Sequence, residues 1–312
     1  MSDPPARAHI CVCICTFRRP RLLARLLKAL DTQETQGAFH YDVVVVDNDK
    51  DGSARLVVEF AATRTKKQVR YYIEPEQNIA MARNKAVENA KGDFIAFIDD
   101  DELPDSRWLL NMYKSLSLFE TAGVLGPVVP RYEVRPPSWV IRGRFFERPS
   151  YYSGYFLNWW VARTGNCLLR RLLFAGPEGR FRREYGSGGE DRDFFKRMIY
   201  QGHVFVWCAE APIEEAVPPD RWNVLNMVRR ALLRGKMTYL ARRSYPSNLL
   251  GSFGAVMGYS IGLPLLLIGA PVFGFETFMK TLIRDCDHLG KVLALFGIEP
   301  VKHRYIISLA ED

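Results

Sequence analysis

The first 130 residues alternate short β-forming runs with helical patterns, and this alternation limits the fold more than any other feature of the chain. It is typical of βα units that build a largely parallel sheet covered by helices. The pattern predicts strands over residues 9–15, 42–47, 69–73, 93–99 and 122–129. Leucines at helical spacing predict a helix over 19–30, and a second helix is predicted over 78–92 with Asn78 as its N-cap.

Composition sets the general class of the protein. The 312 residues are 48% hydrophobic, which suits one large domain or two smaller ones. The formal net charge of +8 favours an anionic partner such as a nucleotide, a phosphorylated lipid, a membrane surface or a nucleic acid. Six cysteines without CxxC spacing indicate reduced thiols, and the polar start MSDPPARAH lacks a secretory pattern. We therefore expect a cytoplasmic active part.

Three adjacent aspartates, Asp99, Asp100 and Asp101, directly follow the apolar run that predicts the fourth strand. Their charges repel one another, and a bound cation is the most effective way to neutralise them in a folded protein. Ligand sets made only of oxygen suit Mg²⁺ or Mn²⁺ and do not suit zinc or copper. A solvated acidic turn is the alternative interpretation of this run.

Candidate site residues also lie at the carboxyl ends of two other predicted strands. Thr16 and Phe17 follow the first strand, and Asp47 is the last residue of the second. Binding sites in such sheets form at the carboxyl ends of the strands, so these residues and the aspartates are expected to meet in one crevice. Arg83 and Asn84 lie on the helix that leads to the aspartates. Taken singly, each of these residues is also explained as a turn, cap or surface group.

A second acidic pair, Glu190 and Asp191, follows a glycine-rich loop in the segment GSGGEDRDFFKRM. Apolar residues at helical spacing come directly after it, which predicts that the pair begins a helix. Acidic residues stabilise a helix N-terminus, so a purely structural role is the alternative.

Five segments in this order resemble the inverting nucleotide-sugar glycosyltransferases of family 2, which have the GT-A fold. They are CVCICTFRRP, VVVVDNDKDGS, NIAMARNKAVENAKGDFIAFIDDDELPDSRWL, TGNCLLRR and GSGGEDRDFFKRMIYQGH, within residues 10–220. Within the family, the chain is most similar to bacterial exopolysaccharide glucosyltransferases of the succinoglycan type. The resemblance implies an α/β fold with a mostly parallel central sheet flanked by helices.

The resemblance also implies roles for individual residues. The donor site would comprise Thr16, Phe17, Arg19, Asp47, Arg83, Asn84, Asp99, Asp100, Gly165 and Asn166. Asp101, with Asp99, would hold Mg²⁺ or Mn²⁺ on the diphosphate. Asp191 would be the general base that deprotonates the acceptor hydroxyl, and Glu190 would orient the acceptor or a loop.

An aromatic segment supplies the expected acceptor site. Ten aromatic residues lie between positions 132 and 160, interleaved with arginines, and core packing explains part of them. In a transferase they would stack against the acceptor sugar, while the arginines would meet the diphosphate of a lipid carrier. The acceptor residues are expected to be Tyr155, Trp159, Trp160, Arg221 and Trp222.

Two departures from the family pattern limit the comparison. Many relatives have a histidine as a further metal ligand, but the corresponding EEAVPPDRW has none, and Glu215 is the nearest substitute. Processive synthases carry QxxRW, whereas Pro218 stands at the glutamine position here. We therefore expect one sugar to be transferred per encounter.

Beyond residue 220 the composition changes. Residues 221–243 hold seven basic and no acidic side chains beside apolar ones, as expected for a basic helix on an anionic membrane. Residues 244–275 are uncharged and long enough to span a bilayer. Gly262, Pro264, Gly269 and Pro271 predict breaks in the continuity of this segment, so a re-entrant hairpin or two buried helices compete with a single span. The mixed segment 276–312 predicts no element.

The sequence thus predicts a glycosyltransferase domain over 1–220, with a nucleotide-binding half (1–130) and an acceptor half (131–220), followed by membrane-associated helices over 221–312. The expected reaction is metal-dependent transfer of a hexose from a nucleotide sugar to a lipid-linked glycan at the inner face of a bacterial membrane. The alternatives are a polyprenyl-phosphate sugar transferase, a sugar nucleotidyltransferase and a non-catalytic scaffold. Basic residues that gather beside apolar runs, without a recognised binding motif, predict no nucleic-acid partner.

Overall fold

The computed structural model describes residues 7–186, 188–241, 247–299 and 301. The chain divides into two compact units, Met1–Arg131 with Arg148–Ala216, and Tyr132–Glu147 with Val217–Asp312. The strands are β1 (Ala8–Thr16), β2 (Phe39–Asp47), β3 (Val69–Ile73), β4 (Phe94–Ile98), β5 (Glu102–Pro104), β6 (Gly123–Leu125), β7 (Val128–Arg131), β8 (Asn166–Arg170), β9 (Phe205–Trp207) and β10 (Ile213–Ala216). The helices are α1 (Pro20–Asp31), α2 (Arg55–Arg64), α3 (Ile79–Asn89), α4 (Trp108–Phe119), α5 (Ser138–Gly143), α6 (Glu190–Tyr200), α7 (Val224–Ala241), α8 (Ser247–Ile268), α9 (Ala270–Phe273) and α10 (Phe275–Leu295). Short 3₁₀ helices cover Arg171–Phe174, Pro177–Gly179, Arg183–Tyr185 and Pro219–Trp222.

The first unit is built on a seven-stranded sheet in the order β3-β2-β1-β4-β8-β6-β9. Neighbouring strands are parallel except at β8, which is antiparallel to both β4 and β6. A second sheet has the order β5-β10-β7. The predicted α/β fold with a mostly parallel central sheet is therefore confirmed.

Strand β1 shows why the sheet is buried on both faces. Ile10, Val12 and Ile14 belong to one hydrophobic core, whereas Cys11 and Cys13 belong to the other. Helices cover both faces, as is usual for parallel strands, so the run is apolar at every position. All six cysteines are free thiols.

The prediction of one strand over 122–129 is wrong in detail, because two strands, β6 and β7, occupy this region. Gly126 and Pro127 separate them. Proline has no N–H to donate to a ladder. A Cβ on Gly126 would lie 2.5 Å from the carbonyl oxygen of Ala211, so the chain passes too close to its neighbour there for a larger residue.

In the second unit, α10 packs against α7 and α8. The backbones of α7 and α10 approach closely, since a Cβ on Gly290 would lie 2.2 Å from the carbonyl oxygen of Leu232. The predicted break is confirmed at Gly269 and Pro271, where α8 has ended at Ile268 and α9 begins, but it is wrong at Gly262 and Pro264, through which α8 continues.

Two features of this unit bear on the membrane prediction. Within α8, Gly251–Ile268 is long and apolar enough to cross a membrane, and only 6% of it is buried. The segment 276–312, for which no element was predicted, contains most of α10, whereas residues 300 and 302–312 lie outside the described residues.

Candidate active site

The carboxyl ends of the adjacent strands β1 and β4 are joined by polar contacts. The Thr16 hydroxyl donates to Asp100 Oδ2 at 2.7 Å, and Arg19 Nη1 lies 3.0 Å from Asp100 Oδ1 and 3.3 Å from Asp101 Oδ2. Burial raises the pKa of Asp100, although the charge of Arg19 opposes this effect. The strand order reverses between β1 and β4, which is where open α/β sheets bind their ligands.

Glu102, which sequence reasoning missed, lies beside these aspartates. Its Oε2 accepts a hydrogen bond of 2.7 Å from the backbone N–H of Asp99. Burial, followed by the charges of Asp99, Glu215 and Asp101, raises the pKa of Glu102 well above its usual range. Four carboxyl groups therefore concentrate negative charge in one part of the first unit.

Gly165 lies directly against this carboxylate cluster, which consists of Asp99, Asp101, Glu102 and Glu215. A Cβ on Gly165 would lie 2.7 Å from Glu102 Oε1 and 3.1 Å from Asp99 Oδ2. Any other residue would displace these oxygen atoms, so the glycine lets the backbone pass close to two carboxylates.

The carboxylate cluster fits a hard divalent cation, because its side-chain ligands are all oxygen atoms. Among the described residues, no three His, Cys, Asp or Glu side chains form a group that could hold a metal ion by themselves. Mg²⁺ is commonly bound by one or two carboxylates together with substrate phosphates, which fits Asp99 and Asp101. Arg148 Nη2 lies 2.5 Å from Glu215 Oε2, and a metal-binding role for Glu215 stays a prediction.

Asp47 is fully buried and organises the loop after β2. Its Oδ1 accepts from the backbone N–H of Asp49 at 3.0 Å, and its Oδ2 accepts from the Tyr71 hydroxyl and a backbone N–H before α2, each at 2.8 Å. Arg18 pairs with Asp49 at 3.0 Å and lies 5.2 Å from the centre of the Phe17 ring. Donor contacts of Asp47 and Phe17 stay predictions.

The amides of Asn84 and Asn166 are both engaged within the protein. Asn84 exchanges two hydrogen bonds of 2.8 Å with the backbone of Phe181. Asn166 Oδ1 accepts from Trp108 Nε1 at 2.7 Å, and its Nδ2 donates to two backbone carbonyls at 2.9 Å. These bonds fix α3 and the start of β8, and donor binding by either residue stays a prediction.

Arg83 connects the residues after β4 to the start of α6. Its side chain is 8% exposed, its Nη2 lies 3.3 Å from Asp99 Oδ1, and it also forms an ion pair with Glu190. Burial lowers the pKa of Arg83, but Asp99 and then Asp191 raise it, and the net shift is upward. One buried cation therefore links two acidic groups that lie far apart in sequence.

Asp191 is the more accessible of the two acids that begin α6. Its side chain is 17% exposed, against 5% for Glu190, and its Oδ2 lies 3.9 Å from Nε of Arg163. The preceding Gly188 and Gly189 have φ values of 121° and 91°. Glycine adopts such angles readily, which explains how the chain turns sharply into the helix. Asp191 is thus better placed than Glu190 to meet a substrate.

The aromatic residues expected at the acceptor site form a cationic aromatic surface beside α6. The rings of Trp159 and Trp160 stack at 4.0 Å. Lys196 Nζ lies 5.3 Å from the Trp159 ring centre, and the guanidinium of Arg192 lies 5.5 Å from that of Trp160. Tyr155 stacks on a neighbouring tyrosine at 4.4 Å.

Arg221 and Trp222 belong to the second unit, in the 3₁₀ helix Pro219–Trp222. The Trp222 ring lies 5.8 Å from the ring of Tyr132. The acceptor role of both residues stays a prediction.

Two residues beside the site escaped sequence reasoning. Glu102 directly follows the aspartates and could have been found by counting the carboxylates of the whole run DDDE. Arg163 directly precedes the TGN segment, and the resemblance to the family points to the residues after it. A lone arginine in a loop gives no signal of its own.

Comparisons with known proteins agree with this fold. Residues 11–175 match the family model described as glycosyl transferase family 2. The chain belongs to this family. It is 35% identical over 238 residues to the succinoglycan biosynthesis protein ExoM of Rhizobium meliloti (strain 1021), covering 75% of each chain. It is also 27% identical over 282 residues to the hyaluronan synthase of Pasteurella multocida, covering 78% of this chain and 29% of that protein.

Solved structures share the fold. The chain is similar to S. aureus TarS 1–349 in complex with UDP-GlcNAc, with a TM-score of 0.53, 14% identity and coverage of 94% of this chain and 93% of the 1–349 chain. It is also similar to GalNAc-T7 with UDP, GalNAc and Mn²⁺, with a TM-score of 0.55, 13% identity and coverage of 78% and 52%. The fold is therefore of the GT-A type.

Proposed function

We propose that this protein is an inverting transferase that moves a hexose from a UDP-sugar to a lipid-linked oligosaccharide in the synthesis of a bacterial exopolysaccharide or cell-surface glycan. Support comes from the family membership and from the similarity to a succinoglycan biosynthesis protein over three quarters of the chain. The UDP and UDP-GlcNAc complexes of TarS support a nucleotide-sugar donor.

The observation that carries this proposal is the contact of Arg83 with both acidic groups. Through Asp99 it touches the carboxylate cluster, and through Glu190 it touches the start of α6. A transferase needs a donor diphosphate and a general base close to one another, because the acceptor oxygen must attack as the diphosphate leaves.

A divalent cation is part of the proposal. Asp101 and Asp99 would hold Mg²⁺ or Mn²⁺, which when bound would stabilise the negative charge that develops on the departing nucleoside diphosphate. The oxygen-only ligand set supports this assignment.

Asp191 is the proposed general base. It takes the proton of the acceptor hydroxyl as that oxygen forms its bond to the anomeric carbon, while the bond from that carbon to the nucleoside diphosphate breaks. A single displacement inverts the configuration at this carbon. Proton transfer of this kind typically contributes about 10² to 10⁴ in rate.

We further propose that the second unit binds the cytoplasmic face of the inner membrane. Arg229 and Arg234 are exposed on α7, and the apolar face of α8 is exposed at residues such as Ile261, Leu265 and Ile268. A basic helix followed by an exposed apolar one is suited to an anionic lipid surface, where the carrier lipid of the acceptor resides.

The test is a transfer assay with purified protein, a set of UDP-sugars, Mn²⁺ and membrane extract containing lipid-linked oligosaccharides. The wild-type protein should release UDP and label a lipid, and Asp191→Asn should lower turnover by at least about 10²-fold while donor affinity stays the same. Normal turnover in Asp191→Asn would remove the base assignment. Labelling of polyprenyl phosphate alone, or consumption of a sugar phosphate with a nucleoside triphosphate, would favour the two alternative transferases.

A further inference from the structure

A cavity of about 240 Å³ lies in the first unit and has aromatic walls. Its lining includes Tyr151, Trp160 and Trp207, together with Arg148 and Arg163. Its volume is below the roughly 300 to 1,000 Å³ of sites for drug-sized ligands, so it suits a group about as large as one sugar ring. We refer to it as the Trp207 cavity.

Two arginines connect the Trp207 cavity to the candidate active site. Arg163, which lines the cavity, has its Nε 3.9 Å from Asp191 Oδ2. Arg148, which also lines it, pairs with Glu215 at 2.5 Å. The cavity therefore adjoins both the proposed base and the carboxylate cluster.

Most polar side chains of the Trp207 cavity that can serve a ligand are hydrogen-bond donors. Arginine and tryptophan have no acceptor atom, the amide of Asn166 is already used by Trp108 and two carbonyls, and the Tyr151 hydroxyl can both donate and accept. This lining favours a ligand with acceptor oxygens, and two guanidinium groups favour anionic ones.

Trp207 gives independent evidence for a ligand. The residue is 6% exposed, and its buried Nε1 has no hydrogen-bond partner among the residues that the structure describes. A buried N–H without a partner is costly, and a ligand oxygen that reached Nε1 would remove that cost.

We propose that the Trp207 cavity binds an anionic group of the acceptor, either a carboxylate on an acceptor sugar or a phosphate of the lipid carrier, and so selects an anionic acceptor and directs its hydroxyl to Asp191. The aromatic walls would stack against the sugar ring. This inference rests on the proposed function, since it concerns the acceptor of that same site.

The test compares three small probes by ligand-observed NMR titration in the presence of saturating UDP: methyl glucuronide, methyl phosphate and neutral methyl glucoside. We expect at least one anionic probe to bind about tenfold or more tightly than the glucoside. Preference for the glucuronide identifies the sugar carboxylate, and preference for methyl phosphate identifies the carrier phosphate. Equal binding of the neutral glucoside, or no binding of either anion, would overturn the proposal.

Variants locate the binding. Arg163→Gln and Trp207→Phe should each weaken binding of the preferred anion by about tenfold, the effect of losing one hydrogen bond. Arg171→Gln, the same change at an exposed arginine outside the cavity, is the matched control and should bind as wild type. Thermal melting checks that Trp207→Phe is folded. If that variant is unfolded, Arg163→Gln alone tests whether the anion binds in the Trp207 cavity.

The outcomes separate this inference from the proposed function. UDP binding is measured first in every variant. If UDP fails to bind the wild-type protein, the proposed function fails. If UDP binds normally but the anion binds equally well to Arg163→Gln and wild type, the Trp207 cavity is not the acceptor-anion site and the donor assignment stands.

Discussion

At the residue scale, Arg83 is the buried cation that contacts both Asp99 and Glu190 in the proposed active site. Its guanidinium is buried and balances Asp99 and Glu190. Removal of one partner of a buried ion pair leaves an uncompensated charge, which costs more than the net contribution of the pair itself. The resemblance to the family predicted a contact of Arg83 with the donor, but it did not predict the ion pair with Glu190.

We predict that Arg83→Met destabilises the protein by about 3–5 kcal/mol in chemical denaturation. The double variant Arg83→Met/Glu190→Gln should recover much of this loss because the buried acid is neutralised, yet it should stay inactive. Arg171→Met, an exposed control, should change stability by less than about 0.5 kcal/mol. A cost as small for Arg83→Met as for the control would show that the contact does not stabilise the fold.

The residues after the strands show what could be predicted from sequence and what could not. Apolar runs of strand length place Thr16 and Asp100 at neighbouring strand ends, and their hydrogen bond follows from that topology. The engagement of Asp47 with Tyr71 could not be foreseen. It depends on which side-chain atoms of the neighbouring strands β2 and β3 meet, and neither periodicity nor composition contains that information.

At the scale of elements, the start of β8 is close to the carboxylate cluster because Gly165 has no side chain. A methyl group there would lie 2.7 Å from Glu102 Oε1. Overpacking of this kind typically costs about 1–3 kcal/mol, and relief by movement of Glu102 would disturb the neighbouring Asp99.

We predict that Gly165→Ala lowers thermal stability and weakens Mn²⁺-dependent UDP binding by about tenfold or more. The matched control is Gly254→Ala in α8, where an added Cβ meets no atom within 4 Å. Calorimetric titration of UDP with Mn²⁺ measures the effect. Wild-type affinity in Gly165→Ala would mean that ligand binding does not depend on the positions of Glu102 and Asp99 beside Gly165.

Helix α10 shows a limit of pattern reading at this scale. Its buried residues include Met279, Cys286 and Gly290, which lie on one helical face. Charged residues at intervening positions obscured this stripe, and glycine is not counted as apolar in a periodicity search. A search that allowed small residues at contact positions would have found the helix, because Gly290 is where the backbone of α7 approaches.

For α8, the proposed membrane contact gives a separate prediction. Ile261 is 69% exposed and Leu265 is 70% exposed, so their replacement by glutamate should leave the fold intact. Ile261→Glu/Leu265→Glu should lose most binding to vesicles containing anionic lipid in a co-sedimentation assay, because charges oppose insertion into the apolar layer. Leu56→Glu/Leu172→Glu, at equally exposed residues of the first unit, is the control. Undiminished binding of the α8 variant would contradict the proposal.

At the scale of the whole molecule, family membership and the GT-A fold follow from sequence motifs that lie in order along the chain. The five segments are far apart in sequence, yet the first unit brings the strand ends and the start of α6 together through Arg83. The identity of the sugar and acceptor was not predictable, because the cavity that we propose for the acceptor is lined by residues such as Trp207 that carry no motif.

The central claim is that the carboxylate cluster holds a divalent cation on the nucleoside diphosphate. The most direct test is calorimetric titration of UDP with and without Mn²⁺, in wild type, Asp101→Ala and the exposed control Asp105→Ala. We predict that Mn²⁺ raises UDP affinity by about tenfold or more in wild type and Asp105→Ala, and that this gain disappears in Asp101→Ala. Equal UDP affinity with and without Mn²⁺ in wild type, or an undiminished gain in Asp101→Ala, would contradict the claim.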